Sequence, residues 1–268
     1  MTVAELSTRL RNRLAPLGQG EARAIERIIF EDIAMMRPVD VVVNPDRELP
    51  PFIAPKADAV VNRLLAGEPL QYILGHARFC GLDLEVTPDV LIPRPETEEL
   101  VDIIVSRYAP HPDLRIIDLG TGSGAIAIAL ARALRFPKVT AVDISENALE
   151  VARRNAAAHR VKIDFVHADM LAMRPDRDYD IVVSNPPYVL DSERSAMETA
   201  VVDHEPHSAL FVPDADPMKF YDATLRNFSG RAGAIYFEIN PLCADRFKGA
   251  EIIRDIHGKN RFAIYDPA

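Results

Sequence analysis

Leu6, Leu10, Leu14 and Leu17 recur at three- to four-residue intervals near the start of the chain, behind a Thr2-x-x-Glu5 pair with capping-box spacing. This periodicity predicts an amphipathic helix. A second helix is expected after Gly18–Gly20, with Ile25, Ile28, Ile29 and Ile33 on one face, and a third brings Val60, Val61, Leu64 and Leu65 together. The intervening stretch from Pro38 to Pro55 is rich in proline and contains Asn44-Pro45, so it is expected to be loop with at most short helical turns. The helices predict a small bundle over residues 1–75. The period then changes to two: Ala77-Arg78-Phe79 and Leu82-Asp83-Leu84-Glu85-Val86 flank Gly81 and predict a β-hairpin linker over residues 76–92.

From residue 96 onward helical and extended patterns alternate. Helices are expected at 96–108, 123–135, 146–159 (opened by Ser145 as N-cap) and near 217–228. Strands are expected at 114–118, 138–143, 162–167, 179–184 and 234–239, and a short helix then leads to closing strands at 251–256 and 261–266. Such alternation gives an α/β domain, residues 93–268, with a doubly wound and mostly parallel sheet covered on both faces. The short connection His257-Gly258-Lys259-Asn260 makes the last two strands an antiparallel terminal hairpin.

Composition narrows the function classes. The formal net charge is −9, and neither the first 85 residues (10 basic, 12 acidic) nor the remainder (21 basic, 28 acidic) is basic. That balance argues against a nucleic-acid partner and leaves room for a basic protein. No apolar run reaches the roughly 20 residues of a membrane helix, and the first residues lack the layout of a secretory signal. Cys80 and Cys243 stand far apart with no CxxC pair, so no metal site or disulfide framework is expected and the cytoplasm is the default compartment.

The segment Arg115-Ile116-Ile117-Asp118-Leu119-Gly120-Thr121-Gly122-Ser123-Gly124 runs from a buried strand into an apolar helix. Glycines at alternate positions permit a sharp turn and bring a ligand close to the main chain. The next strand ends at Asp143, whose carboxylate can accept both ribose hydroxyl hydrogens. Gly120-x-Gly122-x-x-Ala125 with Asp143 also satisfies the dinucleotide fingerprint, so a nicotinamide-dependent oxidoreductase competes at this point. Two features favour S-adenosylmethionine. Asp118 can meet an ammonium group where a pyrophosphate would be repelled, though it can also cap the glycine turn. His167-Ala168-Asp169-Met170 places an acidic residue where an adenine amino group could be read.

Asn185-Pro186-Pro187-Tyr188 follows the strand Tyr179–Ser184, which is expected beside the strand ending at Asp118. An amide or aromatic amine nitrogen is a poor nucleophile because its lone pair is delocalised. The Asn185 side-chain oxygen and the Pro186 carbonyl can accept its two hydrogens and direct the lone pair at a methyl donor. Successive prolines freeze the backbone, and Tyr188 offers a flat face for stacking. Alone, the tetrapeptide could be a rigid turn. One strand from a glycine-rich cofactor turn, it points to nitrogen methylation.

With both motifs in view the chain resembles the HemK-type (PrmC) release factor glutamine methyltransferases along nearly its whole length. Gly67-Glu68-Pro69-Leu70-Gln71-Tyr72-Ile73-Leu74-Gly75 and Leu91-Ile92-Pro93-Arg94-Pro95-Glu96-Thr97-Glu98 look like segments typical of that family, the second being far more specific than the tetrapeptide. The resemblance implies a class I S-adenosylmethionine-dependent methyltransferase fold and transfer to the glutamine of a Gly-Gly-Gln loop in peptide chain release factors. It further implies that Gly120, Thr121, Gly122, Ser123, Gly124, Asp143, Asp169, Met170 and Asn185 contact the cofactor. Asn185, Pro186, Pro187 and Tyr188 would hold the glutamine amide, while the helical domain grips the release factor.

Plainer expectations stand beside these. Arg94 can pair with Glu98 at helical spacing, Gln71 and Tyr72 can serve packing, Glu205-Pro206 can be an ordinary exposed loop, and His167 is structural. The sequence also departs from the family where Val212-Pro213-Asp214-Ala215-Asp216-Pro217 replaces a glycine-rich stretch after Leu210-Phe211, and where helix material after Asn240 looks shortened. Alternatives are a ribosomal protein glutamine methyltransferase, a methyltransferase of nucleic-acid exocyclic amines, and a cofactor-binding partner without activity. The expected state is a monomer with no metal, no stable nucleic acid and no membrane contact.

Overall fold

The computed structural model describes residues 1–266. The chain divides into two compact units between Leu74 and Gly75. The first comprises α1 (Val3–Leu14), α2 (Gln19–Asp32), α3 (Pro38–Val43), α4 (Ile53–Leu65) and α5 (Leu70–Leu74). The Thr2 hydroxyl accepts from the Glu5 N–H at 3.2 Å and the Glu5 carboxylate accepts from the Thr2 N–H at 2.8 Å, closing the capping box. Leu6, Leu10 and Leu14 bury their stripe against Ile25, Ile29 and Val61. Two details differ from the sequence reading. Leu65 is largely exposed, and Pro55 lies inside α4. Pro55 is the third helical residue, where a backbone N–H would have no intrahelical acceptor, so the ring is tolerated. In α5, Tyr72 is buried and Gln71 exposed.

The second unit opens with the antiparallel hairpin of β1 (His76–Phe79) and β2 (Leu82–Glu85). Phe79 and Leu84 sink into the core of this unit. Asn155 fastens the hairpin, accepting from the Glu85 N–H at 2.7 Å and donating to the Glu85 carbonyl at 2.9 Å. Then come α6 (Pro95–Tyr108), β3 (Arg115–Leu119), α7 (Ala125–Ala133), β4 (Lys138–Asp143), α8 (Glu146–Ala158), β5 (Ile163–His167) and β6 (Tyr179–Ser184). The short elements β7 (Val189–Leu190), α9 (Thr199–His204), α10 (His207–Leu210) and β8 (Phe211–Val212) precede α11 (Lys219–Asn227). After β9 (Ala232–Glu238), a 3-10 helix at Pro241–Arg246 leads to β10 (Glu251–Arg254) and β11 (Asn260–Tyr265).

The seven-stranded sheet has the order β10-β11-β9-β6-β3-β4-β5. Strands β9, β6, β3, β4 and β5 run parallel, whereas β11 pairs antiparallel with both β9 and β10. Alternate side chains supply the two faces, as the period of a strand requires. Ile116, Ile181, Val183 and Tyr236 pack under α6 and α7, while Ile117, Val182, Ile235 and Phe237 pack under α11 and the 3-10 helix. Both faces are thus covered. The order reverses between β3 and β6, and the carboxyl ends of those two strands form the crevice where open α/β sheets bind ligands.

Candidate active site

Register fixes the site. In the parallel pair β3 and β6, Leu119 lies opposite Ser184, and the Ser184 hydroxyl donates to the Leu119 carbonyl at 2.6 Å. The residues that follow are Gly120 on one strand and Asn185 on the other, so the glycine turn and the tetrapeptide leave the sheet side by side.

Gly120, Gly122 and Gly124 have φ of 75°, 56° and 83°. A side chain strains that left-handed backbone. At Gly124 space is short as well: a Cβ would stand 3.0 Å from Ile128 Cδ1 and 3.1 Å from Ala152 Cβ. Two carboxylates brace the turn. Asp118, fully buried, accepts at Oδ2 from the Thr121 hydroxyl at 2.6 Å and from the Ala127 N–H at 3.2 Å. Its Oδ1 is buried with no hydrogen-bond partner, and burial raises the carboxyl to about 7. Asp143 accepts from the Gly122 N–H and the Ser145 N–H, both at 2.9 Å. Burial pushes this carboxyl up as well, and the backbone donors pull it back.

Both motifs open on one cavity of about 570 Å³. Gly120, Gly122, Asp143, Asp169, Met170, Asn185 and Pro187 line it. Thr121, Ser123 and Gly124 are buried behind that wall: the Thr121 hydroxyl holds Asp118 and the Ser123 carbonyl holds Asn155. Pro186 is buried too. The cavity charges are Asp89, Asp143 and Asp169 against Lys219. An acidic wall favours a ligand carrying net positive charge, such as a sulfonium with an ammonium group, and opposes a pyrophosphate. The volume lies in the range of small-ligand sites, roughly 300–1,000 Å³. With the unpartnered Asp118 Oδ1 beneath the turn, these residues fit S-adenosylmethionine better than a dinucleotide.

Behind Asn185 stands a group of polar side chains that motif reading passed over. Asn185 Nδ2 donates to Thr97 Oγ1 at 3.2 Å, and Thr97 Oγ1 donates to Glu238 Oε2 at 2.7 Å. The Tyr188 hydroxyl donates to Glu238 Oε1 at 2.9 Å and lies 3.4 Å from Arg261. Burial raises both the Tyr188 hydroxyl and the Glu238 carboxyl above their ordinary values. Tyr188 is therefore anchored beside Asn185, and the cavity walls at this end are Asn185 and Pro187.

Residues 5–75 match the model of the PrmC N-terminal domain and residues 97–207 that of the methyltransferase small domain. A Bacteroides thetaiotaomicron protein named release factor glutamine methyltransferase is 40% identical over 256 residues, spanning 90% of this chain and 91% of the relative. The chain belongs to the release factor glutamine methyltransferase family. A Flavobacterium psychrophilum member of the same name is 39% identical over 251 residues, covering 87% of this chain and 88% of the relative. Among solved structures, the T. thermophilus 16S rRNA methyltransferase RsmC, determined with AdoMet and guanosine, aligns with a TM-score of 0.50 at 18% identity. It covers 72% of this chain and 50% of that one, and it shares the fold.

Within this family frame, the cavity's outer wall corrects two plain readings of the sequence. Glu205 is buried rather than part of an exposed loop, and it accepts from Arg94 at 2.5 Å and from the Ile92 N–H at 3.2 Å. Arg94 thus pairs across 111 residues of sequence with Glu205 instead of with Glu98. Helical spacing could not reveal this, because Arg94 is the N-cap of α6 and its backbone is extended rather than helical. The bond ties the segment bearing Val90 and Leu91 to the segment bearing Pro206, Ser208 and Ala209, and both line the cavity. The departure at 212–217 is also pinned. Val212 is buried, Phe211–Val212 pairs with Val189–Leu190, and Asp214 accepts from the Ser192 N–H at 3.1 Å. His167 bonds the Ile144 carbonyl at 2.9 Å, a structural contact.

Glu205→Ala should strand the Ile92 N–H and loosen this wall, lowering stability by about 1–3 kcal/mol. Urea midpoints of parent and variant would show it. Equal midpoints would remove Glu205 from the wall's support.

Proposed function

We propose that this protein transfers a methyl group from S-adenosylmethionine to the side-chain amide nitrogen of the glutamine in the Gly-Gly-Gln loop of peptide chain release factors, acting as a cytoplasmic monomer. The observation that carries the reading is the Leu119–Ser184 register, which sets Gly120 and Asn185 on a single cavity. Among the described residues no helix is long and apolar enough to cross a membrane.

When bound, S-adenosylmethionine supplies a methyl already activated by its positive sulfur. The protein's own share is positioning. Gly120, Gly122 and Gly124 let the main chain approach the donor, Asp143 holds the turn and receives the ribose hydroxyls, and Asp169 and Met170 receive the adenine. Asn185 Oδ1 and the Pro186 carbonyl accept the two amide hydrogens and aim the nitrogen lone pair. Pro187 fixes the backbone and lines the acceptor side, and Tyr188, anchored on Glu238, supports the tetrapeptide from behind. Orientation of this kind is worth about 7–11 kcal/mol of barrier when the reacting atoms are held near attack geometry.

Asp118 gives donor binding a pH dependence. Its carboxyl, raised to about 7, is half protonated near neutrality, and a cation above the turn favours the charged form. Donor affinity should therefore rise between pH 6 and pH 8, with proton release on binding. The sign for the unliganded fold is opposite: a carboxyl raised on folding contributes stability that is complete below about 4 and lost as pH rises through about 7. Calorimetry in buffers of different ionisation enthalpy reads the released proton. Binding without release at pH 7 would dissociate Asp118 from the donor.

Incubation with isotope-labelled S-adenosylmethionine and purified release factor, followed by peptide mass spectrometry, tests the activity. Label on the Gly-Gly-Gln glutamine is the expected result. Label confined to a ribosomal protein or to nucleic acid would replace the reading.

A further inference from the structure

We infer that Thr97 and Glu238 are positioning residues which set the orientation of the Asn185 side-chain amide, through a one-way relay of hydrogen bonds. This rests on the methyl transfer to an amide proposed above.

The relay follows from what each group can donate. Glu238 is buried at the end of β9, and as a carboxylate it only accepts. One of its oxygens takes the Tyr188 hydroxyl at 2.9 Å and the other takes the Thr97 hydroxyl at 2.7 Å. Thr97 has a single hydroxyl hydrogen. Once it points at Glu238, only lone pairs remain to face Asn185, 3.2 Å away. The end of the Asn185 amide nearest Thr97 must then be the NH2 group, and the oxygen is the end left for an incoming ligand. Oxygen and nitrogen of an amide have nearly the same shape, so packing alone would not choose between the two rotations. A rotated Asn185 would present donors to a substrate amide that needs acceptors. Thr97 is buried in the first turn of α6, and its hydroxyl and Glu238 do not reach the cavity themselves. Their influence on the reaction runs through Asn185.

Three further contacts hold the relay's ends. Arg261 lies 3.4 Å from the Tyr188 hydroxyl and donates to the buried Asp255 at 3.0 Å, which places a cation beside the Glu238–Tyr188 pair. Asn240, two residues beyond Glu238, donates to the Tyr188 carbonyl at 3.0 Å and so fixes the end of the tetrapeptide.

Thr97→Val removes the hydroxyl at nearly constant volume. The expected result is a fall in kcat of about 30-fold or more toward purified release factor, with the KM for S-adenosylmethionine changed less than about threefold. Thr97→Ser, which keeps the hydroxyl, should restore kcat to within about threefold of the parent. Glu238→Gln should resemble Thr97→Val, because a glutamine can donate to Thr97 and reverse the chain. Parental turnover in Thr97→Val, or equal damage in Thr97→Ser, would overturn the relay and leave Thr97 a packing residue.

A second measurement needs neither a variant that folds nor an active enzyme. In the unliganded parent one Asn185 side-chain amide proton should resist hydrogen exchange. Exchange of both protons at the rate of a freely solvated asparagine would refute the relay. A parent that methylates no release factor would instead refute the proposed activity, with the exchange result still deciding the relay.

Discussion

Asn185→Ala should lower kcat for methyl transfer by about 2–4 kcal/mol, on the order of a hundredfold or more, while S-adenosylmethionine affinity changes little. The asymmetry has a structural cause. Asn185 lines the cavity at its acceptor end, beside Pro187, whereas the donor turn is braced by Asp118 and Asp143 on other strands. Alanine removes the acceptor oxygen aimed at the substrate amide but leaves those braces in place. The amide nitrogen then loses one of the two contacts that direct its lone pair, a loss felt mostly in the transition state. Single-turnover rates at saturating donor, with donor affinity from calorimetry, separate the two effects. Parental turnover would show that Asn185 does not hold the acceptor.

Asp143→Ala should produce the reverse pattern. Its carboxylate takes two backbone donors, the Gly122 N–H in the glycine turn and the Ser145 N–H at the start of α8. Bonds from N–H groups to an ionised carboxylate are among the stronger ones, and removing it strands both donors. The turn loses its brace at the point where the main chain meets the donor. Donor affinity should fall about a hundredfold, near 3 kcal/mol, with kcat at saturating donor much closer to the parent. Donor affinity within threefold of the parent would mean that Asp143 supports the strand end alone.

The sheet was legible because its signals are periodic and long. Apolar strands such as Ile116-Ile117 and Ile181-Val182-Val183 announce burial on both faces, and the helices between them carry ordinary caps. Short pieces left no such trace. The two-residue strands β7 and β8 and the four-residue α10 are too brief for any period to show. The two strands form because Val189–Leu190 and Phe211–Val212 find each other in space.

Of the residues the motifs point to, Gly120, Gly122, Asp143, Asp169, Met170, Asn185 and Pro187 line one cavity, and the side chains behind them stayed hidden for a physical reason. Thr97, Glu205 and Glu238 act through the bonds Asn185–Thr97, Arg94–Glu205 and Thr97–Glu238, which span 88, 111 and 141 residues of sequence. Local spacing cannot encode such pairs. A clue was nevertheless present for Glu238, a lone charge at the end of the apolar run Ala234-Ile235-Tyr236-Phe237. A carboxylate there must find partners or be expelled, and it finds Thr97 and Tyr188.

A crystal structure with S-adenosylhomocysteine and a Gly-Gly-Gln peptide bound together is the most direct trial of the shared pocket. The sulfur should rest on the Gly120–Gly122 side and the glutamine nitrogen on the Asn185–Pro187 side, separated by little more than the methyl group. Finding the peptide on a surface away from Asn185, or the nucleoside outside the glycine turn, would contradict the account.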